Sequence, residues 1–277
     1  MIFDTHLHLI DRQALRYPWL QSVPALNRDF SHQDYATEAR RAGIDAAFHM
    51  EVDVHPDDIE AETSHTKKLA ADGGSLLKGA IASCRPEDSG FPAYLDRVRG
   101  DPFVKGFRRV LHVVPDDVSE GVLFRENIKR IGSILTFDLC VLPHQIPKAI
   151  ALVDLAPDTT FVLDHCGVPD IKSKAEHPWR DHIVEIARRP NMAAKISGIV
   201  AYADPADWTV ETLRPYAEHV IQCFGWDRVV WGSDWPVCTL GGGLSTWVAA
   251  TQAMLAGTSD EERTKLLSAN ARRIWRI

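Results

Sequence analysis

Eight short apolar runs recur along the chain, and they limit its fold more than any other feature: MIFDTHLH, DAAFHMEV, LLKGAIAS, VKGFRRVLH, FDLCVLPH, TTFVLDH, MAAKISGI and RVVWGSDW. Between them lie amphipathic stretches such as HQDYATEARRAG, DIEAETSHTKKLAADG, FRENIKRIGSI and IPKAIALVDLA, whose apolar residues return near the helical period. Strand then helix, eight times within 277 residues, predicts an α/β fold: a single (β/α)8 TIM-type barrel spanning residues 1–277. The competing architecture is an open doubly wound sheet. Against it, no G-x-G-x-x-G turn follows the first run, no P-loop occurs, and no Gly/Ser linker divides the chain.

Composition narrows the function classes. With 31 basic against 38 acidic residues the net charge is −7, and no Lys/Arg stripe occurs, which argues against nucleic acid as a partner. The 5 cysteines include no C-x-x-C pair, so neither a disulfide framework nor a zinc ribbon is indicated, and a cytoplasmic location is expected. No basic segment followed by a long apolar run opens the sequence, so no secretory signal is expected. The uncharged stretch 235–259 is broken by Pro236 and Gly241–Gly243; it reads as a flexible loop leading into a helix, not a membrane span. A homodimer is carried as the candidate assembly.

Polar residues cluster at one end of the runs. In six of the eight, a His, Glu, Asp or Arg stands at or just past the C-terminal end, where barrel enzymes assemble their sites. His6 and His8 lie two apart on the first strand, so both leave the same face and can hold one metal ion or one reacting group. Asp4 shares their parity and is expected to fix an imidazole tautomer from behind. Glu51, His144, His165 and Asp234 follow the second, fifth, sixth and eighth runs. A lone H-x-H reads more readily as packing; a convergent set does not, because a buried carboxylate or unpaired imidazole is costly without partners. Cys166 is taken as structural because strand neighbours point to opposite faces. Ser197 and Ser233 lack a G-x-S-x-G elbow.

The segments DTHLH, GFRRVLH, LPHQ, LDHCGVPD, KISG and WGSDWPV, in this order and spacing, resemble the amidohydrolase superfamily, and within it the sugar-lactonase branch. The resemblance spans essentially the whole chain, and GFRRVLH and WGSDWPV are its most specific parts. It implies a (β/α)8 barrel that hydrolyses cyclic esters. Asp234 would be the base that activates water, with His6, His8 and His165 as its catalytic companions. Arg108, Arg109, His112 and His144 would face the substrate. The fourth run has no Lys in the bridging place, since Lys105 comes too early, which argues against a two-metal centre on a carbamylated lysine. Metal use stays open: either one divalent ion such as zinc on His6, His8, Asp234 and Glu51, or none. Glu51, Trp235 and Trp19 complete the expected substrate contacts. Trp19 and Trp179 fall in expected loops, where an aromatic face suits the C–H surface of a sugar ring.

The expected activity is therefore opening of a sugar-derived lactone to its acid. Two other readings compete. One is a metal-dependent decarboxylase of a related branch, which needs a bound zinc and an aromatic acid. The other is a non-catalytic barrel that serves as a binding protein.

Overall fold

The computed structural model describes residues 1–277 and joins eight strands, in chain order, into one parallel sheet. The strands β1 (Ile2–Leu7), β2 (Ile44–Met50), β3 (Leu77–Ser83), β4 (Val104–Val110), β5 (Thr136–Cys140), β6 (Thr160–Leu163), β7 (Met192–Ser197) and β8 (Val229–Gly232) each fall on one apolar run. The helices between and after them are α1 (His32–Arg41), α2 (Ile59–Ala71), α3 (Phe91–Val98), α4 (Val122–Ile131), α5 (Ile146–Leu155), α6 (Trp179–Ile186), α7 (Val210–Phe224) and α8 (Leu244–Met254). Two short helices, α9 (Asp260–Thr264) and α10 (Asn270–Ile274), flank a π-helical turn at Lys265–Ala269. No helix is long and apolar enough to cross a membrane.

Parallel strands covered by helices must be apolar on both faces. Here the outward faces join the helices in one continuous core, in which Trp231, Trp247 and Phe137 are fully buried. The inward faces of Phe3, Phe48, Met50, Ile81, Val162 and Val230 make a second cluster that fills the barrel floor. Trp275, just beyond α10, joins that cluster, with its indole N–H donating to the Thr136 hydroxyl at 3.0 Å.

The ring closes between its first and last strands. The His8 N–H donates to the Trp235 carbonyl at 2.7 Å, and the Asp234 N–H donates to the His6 carbonyl at 2.8 Å. Leu7 bridges Trp235 in parallel between these two bonds. Residues from opposite ends of the sequence are thereby held at one seam.

Four expectations change. Register shifts between Asp4 and Leu7 break the alternation of β1, so Asp4 does not share a face with the two imidazoles. Its carboxylate instead accepts from the Tyr35 hydroxyl at 2.7 Å and the Ser233 N–H at 2.7 Å. β6 ends at Leu163, and Asp164–Gly167 form a tight turn in which His165 (φ 52°) and Cys166 (φ 55°) are left-handed. Strand alternation therefore does not govern Cys166, which is nonetheless buried with Sγ 3.6 Å from the Lys195 carbonyl. Trp179 heads α6 inside the core rather than sitting in a loop, and its indole N–H donates to the Cys166 carbonyl at 2.7 Å. Gly241 is no flexible linker, because a Cβ there would stand 2.7 Å from the Val200 carbonyl carbon.

Candidate active site

At the C-terminal end of the barrel the side chains meet in two tiers. The lower tier is buried charge. Lys195, inward from β7, contacts Asp138 of β5 and lies 3.1 Å from Asp164 Oδ1. Asp164 Oδ1 in turn lies 3.4 Å from His6 Nδ1. Arg108, inward from β4, donates from Nε to Glu51 Oε1 at 2.6 Å and from Nη2 to the Glu51 carbonyl at 2.8 Å. Its Nη1 lies 3.2 Å from His6 Nε2 and 3.4 Å from Asp164 Oδ2. None of these six residues is more than 5 % exposed, so each charge depends on its partners for stability.

The upper tier faces a cavity of about 370 Å³. Asp234 Oδ1 lies 3.3 Å from His8 Nε2 and 3.7 Å from His6 Nε2, while Oδ2 lies 3.8 Å from His165 Nδ1. Asp234 Oδ2 has no hydrogen-bond partner in the protein. The His8 Nδ1 sits 3.0 Å from the Met50 carbonyl, which only accepts, so Nδ1 carries the proton and the Nε2 lone pair faces inward. His6 Nε2 faces the donor-only Arg108 guanidinium and so presents its lone pair, while Nδ1 lies 3.4 Å from both Asp164 Oδ1 and Lys195 Nζ. Two imidazole lone pairs and a carboxylate oxygen thus converge.

Burial sets the protonation states. It lowers His6 and His165 below the usual imidazole range and His8 to about 3, so all three rings are neutral at neutral pH. It also raises Asp234 from 3.8 to about 6, against the opposing pull of His165 and Arg108. Burial works the same way on Glu51 and Asp164, but there the neighbouring Arg108 and Lys195 respectively outweigh it and both carboxyls are lowered.

Of the residues expected at a site, His8, Trp19, Arg108, His112, His165 and Asp234 line the cavity, with His6 directly beneath. Others are turned away. His144 sits in the middle of a turn after β5, Pro143–Gln145, and reaches outward to Asp116 at 3.1 Å, with its side chain 58 % exposed. Arg109 follows the inward Arg108 and so points to the other face, where it donates to Glu87 at 2.8 Å. Trp235 is buried against Phe30 and Tyr35, and its neighbour Pro236 meets the cavity instead. Glu51 is corrected as a metal ligand: Oε1 is taken by Arg108, and Oε2 accepts the Asp53 N–H at 2.8 Å. Sequence reasoning missed Lys195, Asp138 and Asp164 as a network; Tyr202 also lines the cavity, with its ring centroid 5.9 Å from that of His165.

Gly198 supplies a stringent check on this geometry. It has φ +67°, and a Cβ there would lie 2.7 Å from His165 Nδ1 and closer still to Asp234 Oδ2. Gly198→Ala is expected to displace both side chains and cut kcat/KM at least about 100-fold, since a misplacement near 1 Å costs that much. Steady-state kinetics check it, with circular dichroism as the control for folding.

Comparison with known proteins identifies the family. The amidohydrolase family model Amidohydro_2 matches residues 3–277. An L-fucono-1,5-lactonase of Burkholderia ambifaria is 27 % identical over 281 residues, covering 99 % of this chain and 95 % of the relative. A 4-sulfomuconolactone hydrolase of Rhizobium radiobacter is 27 % identical over 241 residues, covering 84 % and 75 % respectively. Among solved structures, an amidohydrolase from Burkholderia multivorans with bound zinc superposes with a TM-score of 0.90 at 22 % identity, covering 100 % of this chain and 99 % of that one. The family match runs nearly end to end, and this chain belongs to the amidohydrolase family.

Proposed function

We propose that this protein opens a lactone by hydrolysis, with Asp234 as the general base. The observation that carries the reading is the convergence of the unpartnered Asp234 Oδ2, three neutral imidazoles and the Arg108 guanidinium on one cavity floor. The names of the two lactone-hydrolysing relatives support the reaction class and make sugar lactones the first compounds to assay.

Water held against Oδ2 gives its proton to Asp234 while its oxygen forms a bond to the lactone carbonyl carbon. General-base assistance of this kind supplies about 10²–10⁴-fold. The developing oxyanion needs donors. Arg108 Nη1 is one, and His165 is another. When the Ser197 hydroxyl, 3.1 Å away, donates to its Nδ1, the proton of His165 sits on Nε2. Each such donor contributes about 3–4 kcal/mol at the transition state. The tetrahedral centre collapses with cleavage of the ring C–O bond, and Asp234 returns its proton to the leaving alkoxide. The product is a hydroxy acid, which ionises and releases one proton at neutral pH.

The donor set also fits a divalent ion. Nε2 of His8 and Oδ1 of Asp234 are acceptors, His6 Nε2 joins them once Arg108 Nη1, 3.2 Å away, withdraws its donation, and the ligand atoms lie within 4.8 Å of one another. These three residues would hold the ion, and zinc there would lower the pKa of a bound water or polarise the carbonyl. The zinc-bound fold relative supports that possibility for the group, not its identity here.

A pH-indicator assay over aldonolactones and simple γ- and δ-lactones, with and without chelator, tests the reading. The expected result is stoichiometric acid release that disappears in Asp234→Asn. Failure to open any lactone, or release of carbon dioxide from aromatic acids instead, overturns it.

A further inference from the structure

The catalytic floor is polar, but the walls above it are not. Eleven of the nineteen lining residues are hydrophobic. Ile10, Val23, Leu26, Val113, Val237 and Leu240 surround the mouth, and Val113 there is 61 % exposed. Most polar atoms on these walls are already engaged; the exceptions, the Tyr202 hydroxyl and His112 Nε2, are two against eleven hydrophobic lining residues. The Trp19 indole N–H donates to the Val52 carbonyl at 2.8 Å, and the Ser22 hydroxyl donates to the Trp19 carbonyl at 2.7 Å. Asp53 accepts from Arg85 at 3.1 Å, and His112 Nδ1 lies 3.1 Å from Cys140 Sγ. Arg108 is the sole Lys or Arg on the lining, and Glu51 holds its Nε and Nη2.

A polyhydroxylated ring in this space loses a water contact for each hydroxyl and finds few partners in return, which is unfavourable for every group left unmatched. A carboxylate or sulfonate on the substituent finds no free cation. Such walls reward neutral carbon surface, as ligand cavities generally do when polar groups are confined to one end.

We propose that the preferred substrate is an uncharged lactone carrying an apolar alkyl or aryl substituent, with the ester ring on the His/Asp floor and the substituent against the Trp19–Leu26 and Val237–Leu240 walls. The proposal rests on the lactonase reading for the chemistry, whereas the choice of substituent follows from the walls alone.

The test is a matched series of δ-lactones with alkyl chains of increasing length, set beside aldono-δ-lactones. kcat/KM is expected to rise about fourfold per methylene, mainly through KM, until the cavity is full. The best alkyl lactone should exceed the aldonolactone by about 100-fold or more. Val113→Asn, at an exposed position of the lining, should flatten the rise of kcat/KM with chain length at its outermost methylenes, and an unchanged slope counts against the wall assignment. Alkyl δ-lactams and hydroxylated δ-lactams, titrated calorimetrically into the wild-type protein, separate the two proposals. Tighter binding of the alkyl lactams without turnover of any lactone supports the wall assignment and overturns only the reaction. Preference for the hydroxylated compounds, or rates independent of chain length, overturns the wall assignment and leaves lactone hydrolysis standing.

Discussion

Asp234→Asn is expected to lower kcat/KM for lactone hydrolysis by about 10²–10⁴-fold and, at the same time, to stabilise the fold at alkaline pH. Both effects come from one carboxylate. Its pKa is raised from 3.8 to about 6 in the folded protein because burial disfavours the charged form. A raised folded pKa means that the native state binds the proton more tightly. The associated stability is fully present below 3.8 and is lost as pH rises through about 6. At pH 8 the ionised carboxylate therefore costs about 3 kcal/mol, since each unit is about 1.4 kcal/mol. Asparagine keeps the shape and removes the charge. In ion-free protein, the thermal midpoint of Asp234→Asn should exceed wild type at pH 8 and converge with it near pH 4. Wild-type activity should rise as pH climbs through about 6, the range in which Asp234 becomes a base. Retained turnover, or a midpoint below wild type at pH 8, defeats the assignment.

Lys195→Met should show the reverse pattern, with a large loss of stability. Lys195 is fully buried between Asp138 and Asp164, and these carboxylates cannot reach water once the ammonium is gone. Removing one partner of a buried ion pair costs about 3–5 kcal/mol. Asp164 stays within 3.4 Å of Arg108, so Asp138 is the carboxylate left most isolated. The double variant Lys195→Met/Asp138→Asn is accordingly expected to recover part of the loss, a non-additivity that a mutant cycle in denaturant reads directly. Equal losses for the single and double variants would mean that the pair does not carry this energy. The network also bears on the chemistry, because Asp164 Oδ1 and Lys195 Nζ each lie 3.4 Å from His6 Nδ1 and together hold the ring in place.

The architecture was legible because each strand of a helix-covered parallel barrel is a nearly continuous apolar run, and the runs are unmistakable from Ile2 to Gly232. His6, His8, His165 and Asp234 were legible because they stand at the end where such barrels build sites. Lys195 was not. One lysine within MAAKIS looks like a solvent-facing residue, and its partners on β5 and after β6 are distant in sequence. The usable signal was three otherwise apolar strands or strand ends, each interrupted by one charge, one basic and two acidic. Arg109 shows a different failure: the parity that sends Arg108 inward must send its neighbour outward, and that was readable in advance. His144 and Asp4 depended on a turn after β5 and a register shift in β1, neither of which has a compositional signature.

The seam between the first and last strands makes pairing of the two a precondition for chemistry. His6 and His8 are made before the other strands, yet the backbone bonds that seat them come from Asp234 and Trp235. A nascent or prematurely terminated polypeptide lacking the eighth strand has both an unpaired edge on β1 and half a reaction centre. The eighth strand must therefore be in place before any substrate can be turned over, because the bonds that seat the two imidazoles belong to it.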